Sequence, residues 1–270
     1  MKQIATIDDK EALVALYNIC FPGEEWYCRS FFERVWKPEK TLVYRDGEKV
    51  VSMLHMFDVT LTDGCKDYST YYIFGAGTHP DYRGKSIMRE LIEWSEKINS
   101  DKDFAILIAA SESLKSFYGK LGFSEGFSYG KKVVSAANHF ESYKTFDFSK
   151  LTFNETVRVI EKMNDIYLQN TVPEVVYRRS AEFLFEELCM REATVYICGQ
   201  NYVVAEFSDE GVAFAECMGE KSFDLAEQVI FDKGFAEALA CFSGEDISLG
   251  MYKKIAGNES LKGYLNLLFN

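Results

Sequence analysis

The chain has 270 residues, 47% of them hydrophobic and 15% aromatic, with 30 Lys/Arg against 42 Asp/Glu for a net charge of −12. That length suits one large domain or two small ones with a sizeable core. The negative balance argues against a nucleic-acid partner, whose phosphates it would repel. In chain order, residues 4–6 read as a first strand. Asp8 or Asp9 then caps a helix whose apolar residues Ala12, Leu13, Leu16, Tyr17 and Cys20 recur at helical spacing, and Phe21-Pro22-Gly23 ends it. A second helix is expected over residues 28–35. Strands over 42–45 and 49–61 flank an Asp46-Gly47 turn, and a third runs over 68–78. Gly75 and Gly77 inside it point to a kink or a close backbone approach. Residues 86–98 form a helix with Ile87, Leu91, Ile92, Ser95 and Ile98 on one face. The apolar run 104–110 is a strand buried on both faces, and 114–121 is a short helix closed by Gly122.

Residues 135–150 are weakly patterned, which places a boundary there and gives two domains, 1–148 and 149–270. The second repeats part of the first. Val43-Tyr44-x-x-Gly47 followed by Val50-Val51 recurs as Val195-Tyr196-x-x-Gly199 followed by Val203-Val204. Helices over about 154–169 and 180–191 precede the second hairpin, as two helices precede the first. A strand over 212–217 and a helix over 223–239 follow it. Two hairpins can resemble one another by chance; the shared order of elements favours a degenerate tandem copy. Charge divides unevenly, with 19 Lys/Arg against 22 Asp/Glu in residues 1–147 and 11 against 20 in residues 148–270. The acidic second half is either an ordinary solvated surface or a field that draws cationic substrates.

The seven cysteines, Cys20, Cys28, Cys65, Cys189, Cys198, Cys217 and Cys241, form no C-x-x-C pair, and the three histidines fall at no metal-ligand spacing. Free thiols in a reducing compartment and no metal are expected. The short polar opening is not a signal peptide and no apolar run reaches membrane-spanning length, so the expected location is cytoplasmic, with no membrane partner.

The stretch Gly75-Ala76-Gly77-Thr78-His79-Pro80-Asp81-Tyr82-Arg83-Gly84-Lys85-Ser86-Ile87-Met88 is the most informative. It reads as a buried strand, a basic glycine-containing loop and the first turn of a helix. Such a layout turns unpaired amides and the positive end of a helix toward one point, where an anion is favoured. Arg83 and Lys85 add positive charge. A phosphorylated cofactor follows from this arrangement.

Residues 1–145 resemble the GCN5-related N-acetyltransferase (GNAT) family, through residues 78–88 and through Ser116-Phe117-Tyr118-Gly119-Lys120-Leu121-Gly122-Phe123. The family signature is [Q/R]-x-x-G-x-[G/A]. Arg83 matches its first position; Ser86 stands at the glycine, and Met88 at the final small residue. The pattern Gly-x-x-Thr-His-Pro-x-Tyr-Arg-Gly-Lys, with Ser111-Glu112 after the fifth strand, is similar to Eis-type (enhanced intracellular survival) acetyltransferases. In those a second, degenerate GNAT-like domain follows the catalytic one, and a sterol-carrier-like domain follows that; the third has no counterpart in these residues, so an aminoglycoside acceptor is not carried over.

The resemblance implies a mixed α/β GNAT acyl-CoA N-acyltransferase fold followed by a degenerate copy. It implies acetyl-CoA as cosubstrate, held by Ala76, Gly77 and Thr78 along its pantetheine arm. Its pyrophosphate would meet Gly84, Lys85, Ser86, Ile87 and Met88, with Arg83 as a brace. Met88 would otherwise face the sheet as the first core residue of its helix. The resemblance makes Tyr118 the general acid that protonates the departing thiolate, while amides of the splayed strand stabilise the carbonyl oxygen. The acceptor is expected to be a primary amine of a cationic small molecule. Glu112, or Glu24 and Glu25 beside Trp26, are candidates to receive it; a solvated loop is the alternative for each. His79 is a near-site candidate, and His55 and His139 weaker ones. The alternative function is a non-catalytic acyl-CoA-binding or regulatory module, motivated by Ser86 and Met88. In the second copy, Met218-Gly219-Glu220-Lys221-Ser222 lacks the arginine and carries a phosphate-repelling glutamate, so that half is expected to bind no acetyl-CoA.

Overall fold

A computed structural model of the protein describes residues 1–139, 142–171 and 174–266. The chain divides into two compact units. The first comprises Met1–Leu61, Tyr68–Glu125 and Gly250–Ser260; the second comprises Thr62–Asp67, Gly126–Leu249 and Leu261–Asn270.

The first unit contains β1 (Lys2–Ile4), α1 (Lys10–Cys20), α2 (Glu25–Arg34), β2 (Thr41–Asp46), β3 (Lys49–Thr62), β4 (Asp67–Thr78), α3 (Ile87–Ile98), β5 (Phe104–Ile108) and α4 (Glu112–Gly119). Its strands lie in the order β1-β2-β3-β4-β5, and residues 250–254 pair antiparallel on the far side of β5. β2 is antiparallel to β1 and β3, whereas β5 runs parallel to β4. That parallel pair needs a crossover, which α3 supplies. The 3.6-residue spacing predicted for α3 is met at Ile87, Leu91, Ile92 and Ser95, which are buried, whereas Ile98, the last residue of the predicted face, is exposed. Leu91 and Ile92 pack on Leu42, Leu54, Tyr71, Ile73, Ala105 and Leu107, each large apolar side chain contributing about 1.5–3 kcal/mol on burial. A layer of aromatic rings joins α1 and α2 to the sheet: Phe31 lies 5.0 Å from both Phe74 and His55, and Tyr17 6.4 Å from Phe74, between ring centroids.

The ladder between β4 and β5 runs only from Thr70↔Phe104 to Ile73↔Leu107. Beyond it β4 continues alone on that side to Thr78. Gly75 turns the strand there with φ +57°, a left-handed conformation that L side chains rarely adopt. A Cβ on Gly77 would stand 2.9 Å from Cys20 Sγ. One glycine thus provides the expected kink and the other the expected close approach.

The second unit contains β6 (Ser124–Ser135), β7 (Lys144–Asp147), α5 (Phe153–Thr171), β8 (Val175–Tyr177), α6 (Ala181–Met190), β9 (Thr194–Cys198), β10 (Asn201–Ser208), β11 (Gly211–Met218), α7 (Ser222–Lys233), β12 (Glu237–Lys254, whose residues 250–254 belong to the first unit) and β13 (Gly263–Tyr264). β10 is antiparallel to both β9 and β11, and β12 runs parallel to β11. Two helices, a hairpin, a third strand, a helix and a parallel strand therefore recur in the order seen in the first unit. Both hairpins turn on a left-handed glycine, Gly47 at φ +60° and Gly199 at φ +58°. The mixed α/β fold expected from the sequence is present. One element differs. The helix read over 223–239 stops at Lys233, because Gly234 closes it with φ +76°, and Glu237 opens β12.

Candidate active site

The open end of β4 lies beside the start of α3. The strand's other edge is tied down: Ser52 Oγ donates to Gly77 O (3.0 Å) and lies 2.8 Å from Thr78 Oγ1, while His79 N–H donates to Val51 O (2.9 Å). The edge toward β5 is thus left as the free one at residues 76–78. The connecting loop includes a short 3-10 turn over Pro80–Tyr82. Arg83 Nε donates to Thr78 O at 3.0 Å, bracing the loop against the strand end. Ser86 caps α3 in the left-handed conformation, φ +61°, without a side-chain capping bond. In α3 the ladder begins with Glu90 N–H donating to Ser86 O, so the amides of residues 87–89 precede it and have no intrahelical acceptor.

A cavity of about 670 Å³ joins these parts. Ala76, Gly77, Thr78, Arg83, Gly84, Ser86, Ile87 and Met88 line it, and so does Tyr118. Eight of the nine cofactor candidates and the proposed acid therefore share one wall. Lys85 does not; its Nζ lies over the Tyr82 ring, 4.7 Å from the centroid. Met88 is half-buried, packing against the core cluster while also lining the cavity. Tyr118 is 6% exposed on α4. Burial pushes its phenol up to about 12, so the proton is held at neutral pH. Its hydroxyl makes no hydrogen bond to another described residue.

The acceptor candidates lie elsewhere. Glu112 is exposed and pairs with Lys115 at 2.7 Å; only its neighbours Ser111, Ser113 and Leu114 reach the cavity. Glu24 Oε2 accepts from Tyr17 OH (3.2 Å), Glu25 Oε1 accepts from Gly23 N–H (3.3 Å), and Trp26 is 53% exposed; none of the three lines the cavity. His79 Nδ1 accepts from Asp81 N–H (3.3 Å) as a loop cap. His55 is buried in the aromatic layer, and His139 belongs to the second unit. Sequence reasoning missed Cys20 and Phe21, the end of α1, which form part of the cavity wall. The one available signal was the small residue at 77, which lets that helix end approach. Burial raises the Cys20 thiol, opposed by the charge and hydrogen bond of Arg83.

Residues 3–126 match the family model described as an acetyltransferase (GNAT) domain. Residues 3–126 are a GNAT domain. Solved structures share the fold along most of the chain. A GCN5-related N-acetyltransferase from Kribbella flavida is 16% identical, with TM-score 0.71 over 93% of this chain and 70% of that one. Another from Anabaena variabilis ATCC 29413 is 14% identical, with TM-score 0.69 over 94% and 72%. Eis1 from Mycobacterium abscessus is 9% identical, with TM-score 0.66 over 95% and 74%. No curated protein matches the sequence. The cavity belongs to the GNAT domain, formed at its β4–α3 junction and closed by α4. No described helix is long and apolar enough to cross a membrane.

Proposed function

We propose that the chain is an acetyl-CoA-dependent N-acetyltransferase acting on a primary amine of a cationic small molecule, with 1–148 as catalytic domain and 149–270 as a degenerate copy. The observation that carries this reading is one cavity on which a free strand edge, helix-opening amides and a phenol converge. Acetyl-CoA supplies an activated thioester on an arm that ends in a diphosphate. The residues present fit that group. Amides at 86–88 and the positive end of α3 suit the diphosphate. Gly84, at φ +77° with no atom near its Cβ position, leaves the backbone open to it. The edge at 76–78 suits an amide-bearing arm laid beside it as an extra strand. Amides of that edge stabilise charge on the carbonyl oxygen, and Tyr118 OH donates to the leaving sulfur. Glu24, Glu25, Trp26 and Glu112 stand off the cavity as outer groups that draw a cation by charge and ring face.

In the degenerate copy the corresponding backbone groups are already engaged, although a cavity of about 460 Å³ lies beside Glu220 and Lys221. Gly219 is so close to the β9–β10 turn that a Cβ there would stand 2.4 Å from Gln200 O. Lys221 N–H already donates to Asn201 Oδ1 (2.7 Å) and Ser222 N–H to Gly219 O (3.1 Å). Where the β11–β12 register shifts between Phe214 and Cys217, Asn266 Nδ2 donates to Ala215 O (2.6 Å). These bonds engage two of the helix-opening amides and one strand carbonyl that a cofactor would meet, which supports one site per chain.

A thiol-release assay across a panel of amines tests it. Turnover is expected, with Tyr118→Phe lowering kcat about a hundredfold while CoA affinity changes little. Unchanged kcat removes Tyr118 from the reaction. Calorimetric binding of acetyl-CoA without turnover of any amine supports the acyl-CoA-binding module instead. The observation favouring that second reading is Ser86, which holds at φ +61° a conformation that the signature glycine adopts without strain.

A further inference from the structure

In the second unit the fold brings together ligating side chains that the sequence separates by 88 residues. After β6 the chain runs along α7. Ala136 N–H donates to Ala236 O (2.9 Å), Ala137 N–H to Glu227 O (3.2 Å) and His139 N–H to Gln228 Oε1 (2.6 Å). The Gln228 amide is itself fixed, since its Nε2 donates to Asp232 Oδ1 (3.0 Å). These bonds hold His139 against the helix that bears Asp224 and Glu227, three positions apart and so on one side. His139 Nε2 lies 2.6 Å from Glu227 Oε2. One ligating atom from each of the three residues lies within 4.8 Å of the other two.

We propose that His139, Asp224 and Glu227 form a binding site for a divalent cation of the zinc type. The donor set makes the choice: carboxylates alone suit Ca²⁺ or Mg²⁺, whereas an added imidazole nitrogen shifts preference toward zinc and its neighbours. Donors around a tetrahedral ion at about 2.0–2.1 Å stand roughly 3.3 Å apart. The His139–Glu227 separation of 2.6 Å is shorter than that and the remaining ones lie within 4.8 Å, so side-chain rotations admit the ion. The ion replaces the direct His139–Glu227 contact and neutralises the two half-buried carboxylates. Its nitrogen ligand comes from a segment pinned to the helix, which is the outer support that orients metal ligands. Opposing it, the positive end of α7 disfavours a cation. Three protein ligands leave a coordination position open to water. The site is independent of the acetyl-transfer reading, since it shares no residue with the cavity of the GNAT domain.

The test is calorimetric titration of the chelator-stripped full chain with ZnCl2. It uses a Cys65→Ser background, because that exposed thiol competes for zinc. One saturable equivalent is expected, weakened at least about tenfold by His139→Ala, by Asp224→Asn and by Glu227→Gln, with circular dichroism of the metal-free variants unchanged. Co²⁺ in place of zinc should give d–d absorption without a thiolate charge-transfer band. Equal zinc affinity in all three variants, a thiolate–cobalt band, or no saturation at millimolar zinc overturns the proposal.

Discussion

His55 sits wholly buried among Phe31, Phe32 and Phe74. Trp36 Nε1 donates to Thr41 Oγ1, whose own proton goes to Lys37 O. The 2.9 Å contact with His55 therefore has the imidazole donating through Nδ1, which leaves Nε2 unprotonated and without a donor. Burial lowers the ring to about 3. The native state thus binds fewer protons than the unfolded chain between that value and about 6.5, and stability is lost as pH falls through this window. Urea unfolding at pH 7 and pH 5 checks this: the wild type should lose about 2 kcal/mol more than His55→Phe over that interval. Parallel losses would contradict the assignment. The place of Tyr118 on the cavity wall was legible in the sequence, because a short helix after β5 carries it there. That Glu112 on the same helix is exposed was not, although its i,i+3 pairing with Lys115 follows from helical spacing.

The element that matters most is β4, whose pairing partner stops before it does. Gly75→Ala should destabilise the protein by about 2–4 kcal/mol in denaturant unfolding, combining left-handed backbone strain with overpacking. The added Cβ would stand 2.9 Å from His55 Cδ2. A loss under about 0.5 kcal/mol, the range of an ordinary surface change, would show that the kink is not needed. The strand–loop–helix over residues 75–98 was readable because a buried strand, glycines and a helical apolar face follow one another within a single stretch. The end of α7 was not, because Ala236, Ala238 and Ala240 prolong an apolar pattern that fits helix or strand. Gly234 was the stop signal. Nor was the share of Cys20 and Phe21 in the cavity, which depends on how closely α1 approaches β4 and leaves no periodic trace.

Across the molecule one order of elements is used twice, with different surroundings at the strand–helix junction. In the first copy the strand end and helix start stay open on a cavity of about 670 Å³. In the second, Asn201, Gly219 and Asn266 take up the corresponding backbone groups. The repeated order of elements was visible in two Val-Tyr-x-x-Gly hairpins, whereas the bonds made at the second β11–α7 junction depend on two asparagine side chains and one backbone carbonyl from separate segments. A crystal structure of the chain with CoA tests the central claim most directly. The account predicts one CoA per chain, with its diphosphate on the amides of residues 86–88, its arm along residues 76–78 and its sulfur within hydrogen-bond reach of Tyr118 OH. A diphosphate bound at the start of α7, or a sulfur directed away from Tyr118, would contradict it.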